Sequence, residues 1–264
     1  MRKLVLFAIL SGLIGTLLYS TCGAYETENV FIFVIDGLRN KEAFEDPTHQ
    51  YIPNIWNNLR PMGTIYRHFY NTGQTATSTG AIATITSGIE QFLPLNYRGG
   101  YTLNVIQKEP SVFEYYRKKF DVAKEKTWVI NGGGADTENI GISLSPLYGS
   151  SYAPSLAFSD RRASDKKTAL KLEMVMDTYH PSLVLVEFAE IDRTAWTGDW
   201  EAYINAIKNL DSIIYKLHEK IESDSHYAGK TTLIITTSYG RHSDSFKGHG
   251  DSCYGCRSLL FLAI

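Results

Sequence analysis

Four stretches of this chain gather residue types that do chemistry. Asp36-Gly37 follows directly on the apolar run Asn29-Val-Phe-Ile-Phe-Val-Ile35. An aspartate there is a natural hard-cation ligand or phosphate-site residue, and equally a cap for the loop after a strand. The stretch Thr75-Ala-Thr-Ser-Thr-Gly-Ala81 leads into an Ala/Ile-rich segment ending at Gly88. A hydroxyl at a helix N-terminus sits where backbone N–H groups favour an anion or alkoxide, although an ordinary cap reads the same way. Glu187 to Gly198 places Asp192 in an apolar setting. Thr236-Thr-Ser-Tyr-Gly-Arg241 is followed by His249-Gly250. His249 is a candidate ligand, or simply a loop histidine.

These stretches need elements to hold them. Continuous apolar runs at 29–35, 127–130, 183–188 and 231–237 read as strands buried on both faces of a parallel sheet. Between them lie helical patterns. From Trp200 to Ile221, the apolar positions Tyr203, Ile207, Leu210, Ile214, Leu217 and Ile221 are spaced four and three apart, which marks one helix face. Ser111 with Glu114 three residues on predicts a capped helix through Lys119, and 165–177 predicts another. Alternating strands and helices predict an α/β fold: a mostly parallel central sheet with helices on both faces. In such sheets ligands sit beyond the carboxyl ends of the strands, where Asp36, Asp192 and Ser238-Tyr239 all fall.

The remainder bounds the function. The chain has 264 residues, 44% hydrophobic and 20% charged, with a formal charge of −2. No basic stripe supports nucleic-acid binding. Arg2-Lys3, the apolar stretch Leu4–Tyr19 and small residues up to Ala24 read as a signal peptide, 1–24, cleaved after Ala24. About 16 apolar residues fall short of the roughly 20 that span a bilayer. Export to the periplasm or outside the cell follows, with residues 25–264 as one domain and no stable membrane span after cleavage. Acylation of Cys22 as a lipoprotein is the lesser alternative. Cys253 and Cys256 then remain, and in an oxidising compartment a local disulfide is the plain reading. The sharper reading groups them with His242 and His249 as a zinc site, at a spacing that matches no zinc-finger pattern.

In this order and at these distances, the four stretches resemble the alkaline phosphatase superfamily, which includes sulfatases and nucleotide pyrophosphatase-type phosphodiesterases. The likeness spans about residues 29–264. It implies the alkaline-phosphatase-like sheet, a small anionic ester as ligand, and two divalent metals of the zinc type. Asp36 matches the family's first metal aspartate. Counting back ten residues from Gly88 puts the nucleophile at Ser78, with Thr77 the alternative. Asp192 matches "Asp-x-x-x-His" and His249-Gly250 the final "His-Gly".

The departures fall on the chemistry. Trp196 stands where the family's middle histidine belongs, and Ser238 and Tyr239 replace an Asp-His pair. Of six expected metal-binding carboxylates and imidazoles, Asp36, Asp192 and His249 remain. A catalytic zinc uses about three protein ligands, so two per site should not hold it. Trp196 and Tyr239 are expected to fill the metals' space, which leaves Ser78 protonated and weakly nucleophilic. One calcium, magnesium or zinc ion held by Asp36, Asp192 and nearby oxygens is a possible rescue. Substitution by His242 or Asp244 is another. Two functions follow: a metal-dependent ester hydrolase, or a non-catalytic relative that binds through a pocket lined by Trp196, Tyr239, Ser78 and Arg39. The chain ends at Leu262-Ala263-Ile264, where a sheet edge or helix seat is expected to be uncovered.

Overall fold

Asn29–Ile35 forms a strand because its β-branched and aromatic side chains must be buried on both faces at once. Phe31, Phe33 and Ile35 point into one core, and Ile32 and Val34 into the other. The computed structural model describes residues 26–71, 77–90, 97–98, 101–102, 107–133, 140–159 and 163–264. The signal segment 1–24, Thr75 and Ala76 lie outside the described residues.

Among these residues the strands are β1 (Asn29–Ile35), β2 (Thr64–Ile65), β3 (Phe69–Tyr70), β4 (Tyr97–Arg98), β5 (Tyr101–Thr102) and β6 (Thr127–Asn131). β7 (Ser155–Phe158), β8 (Leu183–Phe188), β9 (Thr231–Thr237), β10 (Ser258–Leu259) and β11 (Phe261–Ala263) follow. Seven of them form one sheet in the order β2-β11-β9-β1-β8-β6-β7. Pairings from β9 through β7 are parallel, while β11 runs antiparallel to β9 and to β2. At the chain's end β2 pairs with the outer side of β11, so β2 and not β11 is the strand at that edge of the sheet.

The helices are α1 (Ser78–Ser87), α2 (Val112–Phe120), α3 (Asp165–Tyr179), α4 (Glu190–Thr197), α5 (Trp200–Ser223) and the short α6 (Tyr254–Arg257). α5 starts where the Asp199 carboxylate accepts the Ala202 N–H at 3.0 Å. It buries Tyr203, Ile207, Leu210, Ile214, Leu217 and Ile221, the six positions its spacing predicts. With α3 it covers the face carrying Phe31 and Phe33, while Ile82 of α1 and Phe113 of α2 cover the face carrying Ile32 and Val34. Helices therefore flank both sides. No described helix is long and apolar enough to cross a membrane.

The register decides where the chemistry falls. Ile35 of β1 lies opposite Phe188 of β8 on one side and Thr237 of β9 on the other. The next residues of all three strands therefore leave the sheet at one edge. Asp36 follows β1, α4 with Asp192 follows β8, and Ser238-Tyr239 follows β9.

Candidate functional site

Three neighbouring strand ends and one helix terminus build the site. α4 carries Asp192 and Trp196 one turn apart, so their side chains share a face. Its start is held by Asp165, whose Oδ1 accepts the N–H groups of Ala189 and Glu190 at 3.0 and 3.1 Å. α1 begins at Ser78. Thr77, the alternative nucleophile, caps that helix by accepting the Gly80 N–H at 3.1 Å. Ser78 instead turns its hydroxyl into the site, where Oγ donates to Asp36 Oδ2 at 2.7 Å.

Asp36, Ser78, Asp192 and His249 come together, and all four carboxylate oxygens are engaged. Asp36 Oδ1 accepts from Ser238 Oγ at 2.6 Å and Oδ2 from Ser78. Asp192 Oδ1 accepts from Tyr239 Oη at 3.2 Å and also pairs with the Arg241 guanidinium; its Oδ2 accepts from Trp196 Nε1 at 3.1 Å. His249 Nε2 stands 3.9 Å from Asp192 Oδ1, and its ring stacks on Tyr239 with centroids 4.2 Å apart. The His249 Nδ1 is buried without a hydrogen-bond partner.

Arg241 is the group that sequence reasoning missed. Its side chain is fully buried. Nε donates to the Gly37 carbonyl at 2.8 Å, Nη1 to the Lys247 carbonyl at 2.7 Å, and Nη2 to the Asp192 carbonyl at 3.3 Å besides the carboxylate. Gly37 permits this approach. Its φ is +72°, and a Cβ there would come within 2.8 Å of both Arg241 Nη2 and Asp192 Oδ1. The sequence carries no pattern around this arginine, and its carboxylate partner lies 49 residues away.

The electrostatics follow from this packing. A guanidinium is charged at any ordinary pH, so it neutralises Asp192. Asp36 has no such partner. Burial, with the charge of Asp192 adding to it, pushes its carboxyl up to about 7, although hydroxyls from Ser238, Ser78 and Tyr239 oppose the shift. Burial foremost, then Asp36 and Asp192, drives the Tyr239 phenol well above its ordinary value. Burial brings His249 down to about 4; Asp192 opposes this, while Arg241 and His242 add to it. His249 is therefore neutral near pH 7.

The residues present do not fit a two-metal centre. Metal ligation needs ionised carboxylates free of a competing cation, and here the buried Arg241 guanidinium already pairs with Asp192 while burial raises the Asp36 carboxyl. Tyr239 does occupy the middle of the site, being 3% exposed. Trp196 does not fill metal space as expected: it is 54% exposed and stands at the mouth. Arg39 does not line the pocket. It forms a bidentate pair with Glu42 at 2.5 and 2.6 Å and reaches the His242 carbonyl at 3.1 Å. Neither proposed replacement enters the site: Asp244 is exposed, and His242 packs against the two cysteines. Cys253 and Cys256 are free thiols, so the expected disulfide is not formed.

No protein-family model matches the chain, and no curated protein sequence does. Solved structures do. A protein in the alkaline phosphatase superfamily from Vibrio parahaemolyticus matches over 90% of this chain and 60% of its own, with a TM-score of 0.61 and 16% identity. The C-terminal periplasmic domain of a phosphoethanolamine transferase from Campylobacter jejuni matches over 91% and 80%, with a TM-score of 0.58 and 10% identity. A sulfatase from a Pseudoalteromonas species matches over 90% and 62%, with a TM-score of 0.60 and 14% identity. The chain thus spans about three fifths of the first of these, and it has the fold of the alkaline phosphatase superfamily.

Proposed function

We propose that this chain is an exported binding protein on the alkaline phosphatase fold, derived from metal-dependent phosphate or sulfate ester hydrolases but no longer using two-metal chemistry. The observation that carries this reading is the buried Arg241 guanidinium paired with Asp192. It supplies permanently, from the protein itself, the positive charge that a metal would bring. Its donors are spent on Asp192 and on three backbone carbonyls, so it is a tie within the fold and not a hand for substrate.

A cavity of about 360 Å³ opens beside Ser238, between α1 and the strands β9, β10 and β11. Ile85, Ile234, Leu259 and Phe261 give it an apolar wall, with Thr236 and Ser238 at its polar end. That size is within the range of small-molecule sites. It suits a ligand with an apolar body and one polar end.

A residual hydrolase is the second reading, and one observation favours it. Ser78 Oγ bonds Asp36 on the first turn of α1, where backbone N–H groups favour an oxyanion. Assays on phosphomonoester, phosphodiester and sulfate ester substrates across several divalent ions separate the two. The binding reading predicts rates equal to those of the Ser78→Ala variant. Ion-dependent turnover that Ser78→Ala abolishes would establish the hydrolase instead.

A further inference from the structure

We propose that His242, Asp251, Cys253 and Cys256 form a zinc site that ties down the loop between β9 and β10. One ligand atom from each of the four lies within 4.8 Å of every other. This set differs from the grouping the sequence suggests, because His249 belongs to the other site and Asp251 takes its place.

The separations from His242 suit a tetrahedral ion. Bonds of about 2.1 Å to nitrogen and about 2.3 Å to sulfur, at a tetrahedral angle, put N and S roughly 3.6 Å apart. His242 Nδ1 lies 3.7 Å from Cys253 Sγ and 3.4 Å from Cys256 Sγ. The same construction puts N and a carboxylate O about 3.4 Å apart, and His242 Nδ1 stands 3.1 Å from Asp251 Oδ2. Two thiols, an imidazole and a carboxylate are zinc's own donor set, and four protein ligands make a closed, structural centre.

The surroundings hold the ligands in this pose. Asp251 Oδ1 accepts the Cys253 N–H at 2.9 Å, which aims Oδ2 at His242. Such outer hydrogen bonds orient metal ligands. His242 packs so closely on Gly248 that a Cβ there would meet the ring at 2.2 Å. Cys256 is buried, while Asp251 faces solvent and gives the ion an entry path.

The consequence reaches the candidate site. The bracketed loop carries the Lys247 carbonyl that Arg241 holds, and His249, which stacks on Tyr239. A zinc ion there would fix the segment that seats both residues without taking part in chemistry.

The test uses the full, reduced, metal-free chain titrated with cobalt and then with zinc. The proposal predicts one cobalt per chain, with thiolate-to-cobalt charge-transfer absorption and tetrahedral visible bands that zinc displaces. Cys253→Ser and Cys256→Ser should abolish the charge-transfer signal in proportion to the thiolates removed. Asp251→Asn should weaken binding roughly tenfold or more, and His249→Ala should leave the spectrum intact. In the unaltered chain, chelation should speed amide exchange across residues 241–257 and not across β1, a readout that does not depend on variants folding. Absence of the charge-transfer absorption, or its survival at full strength in both cysteine variants, would overturn the proposal. So would a Cys253–Cys256 disulfide formed by the chain in the presence of zinc.

Discussion

Two carboxylates brought to one buried edge repel each other unless something neutralises them, and this chain does so with one arginine and one raised pKa. Arg241 takes the charge of Asp192, while burial and the neighbouring Asp192 hold Asp36 at about 7. Removing one partner of a buried pair leaves a bare charge, which costs about 3–5 kcal/mol, whereas replacing both with apolar groups is often neutral. Arg241→Met should therefore destabilise the protein by about 3–5 kcal/mol in urea denaturation, and Arg241→Met combined with Asp192→Leu should recover most of that loss. Additive losses in the double variant would mean the pair does not act as a unit. That Asp36, Ser78 and Asp192 would meet was legible because each follows a recognisable strand or opens a recognisable helix; His249 lies in the loop after β9 and was placed only by the resemblance. Arg241 was not legible, since its partner is 49 residues away and its lone position carries no pattern. Trp196 was misjudged for a related reason: identity alone does not say whether a bulky side chain on α4 turns inward or toward solvent.

The elements were more legible than the contacts between them. The apolar runs became β1, β6, β8 and β9, and the four-three spacing became α5, because burial on two faces or on one leaves a periodic mark. The short strands β2, β10 and β11 left none. They exist because of tertiary pairing, β2 and β11 extending the central sheet and β10 pairing with β3, which a two- or three-residue segment cannot announce. The cap of α2 was visible, since Ser111 and Glu114 form a reciprocal box at 2.6 and 3.3 Å. Ser111 Oγ also donates to the Gly141 carbonyl at 2.7 Å. Ser111→Ala should cost about 1–2 kcal/mol in thermal or chemical denaturation. Its effect should be confined to stability, as α2 lies on the sheet face away from α5 and contributes no side chain to the site. A change in zinc or ligand binding in that variant would show that the two regions are coupled.

Across the whole molecule, buried carboxyls should set the pH dependence of stability. Asp165, beneath α4, is pushed up to about 7, chiefly by burial, with Glu190 adding charge repulsion and Arg193 opposing it. A carboxyl whose folded pKa exceeds the unfolded value of about 3.9 stabilises fully below that value and loses its contribution as pH rises through about 7. Unfolding free energy should therefore fall between about pH 4 and pH 7, by on the order of 4 kcal/mol at most from this group. Asp165→Asn should flatten that slope; an unchanged profile would show that Asp165 is ionised in the fold. On the proposed reading, the seven-stranded sheet is a two-metal scaffold whose charge is now balanced from within. Anomalous diffraction at the zinc edge, from crystals grown with excess zinc, tests this most directly. The account predicts no peak within ligand distance of Asp36 or Asp192, with Arg241 still paired to Asp192. Well-occupied peaks beside those two aspartates, with the guanidinium displaced, would contradict it.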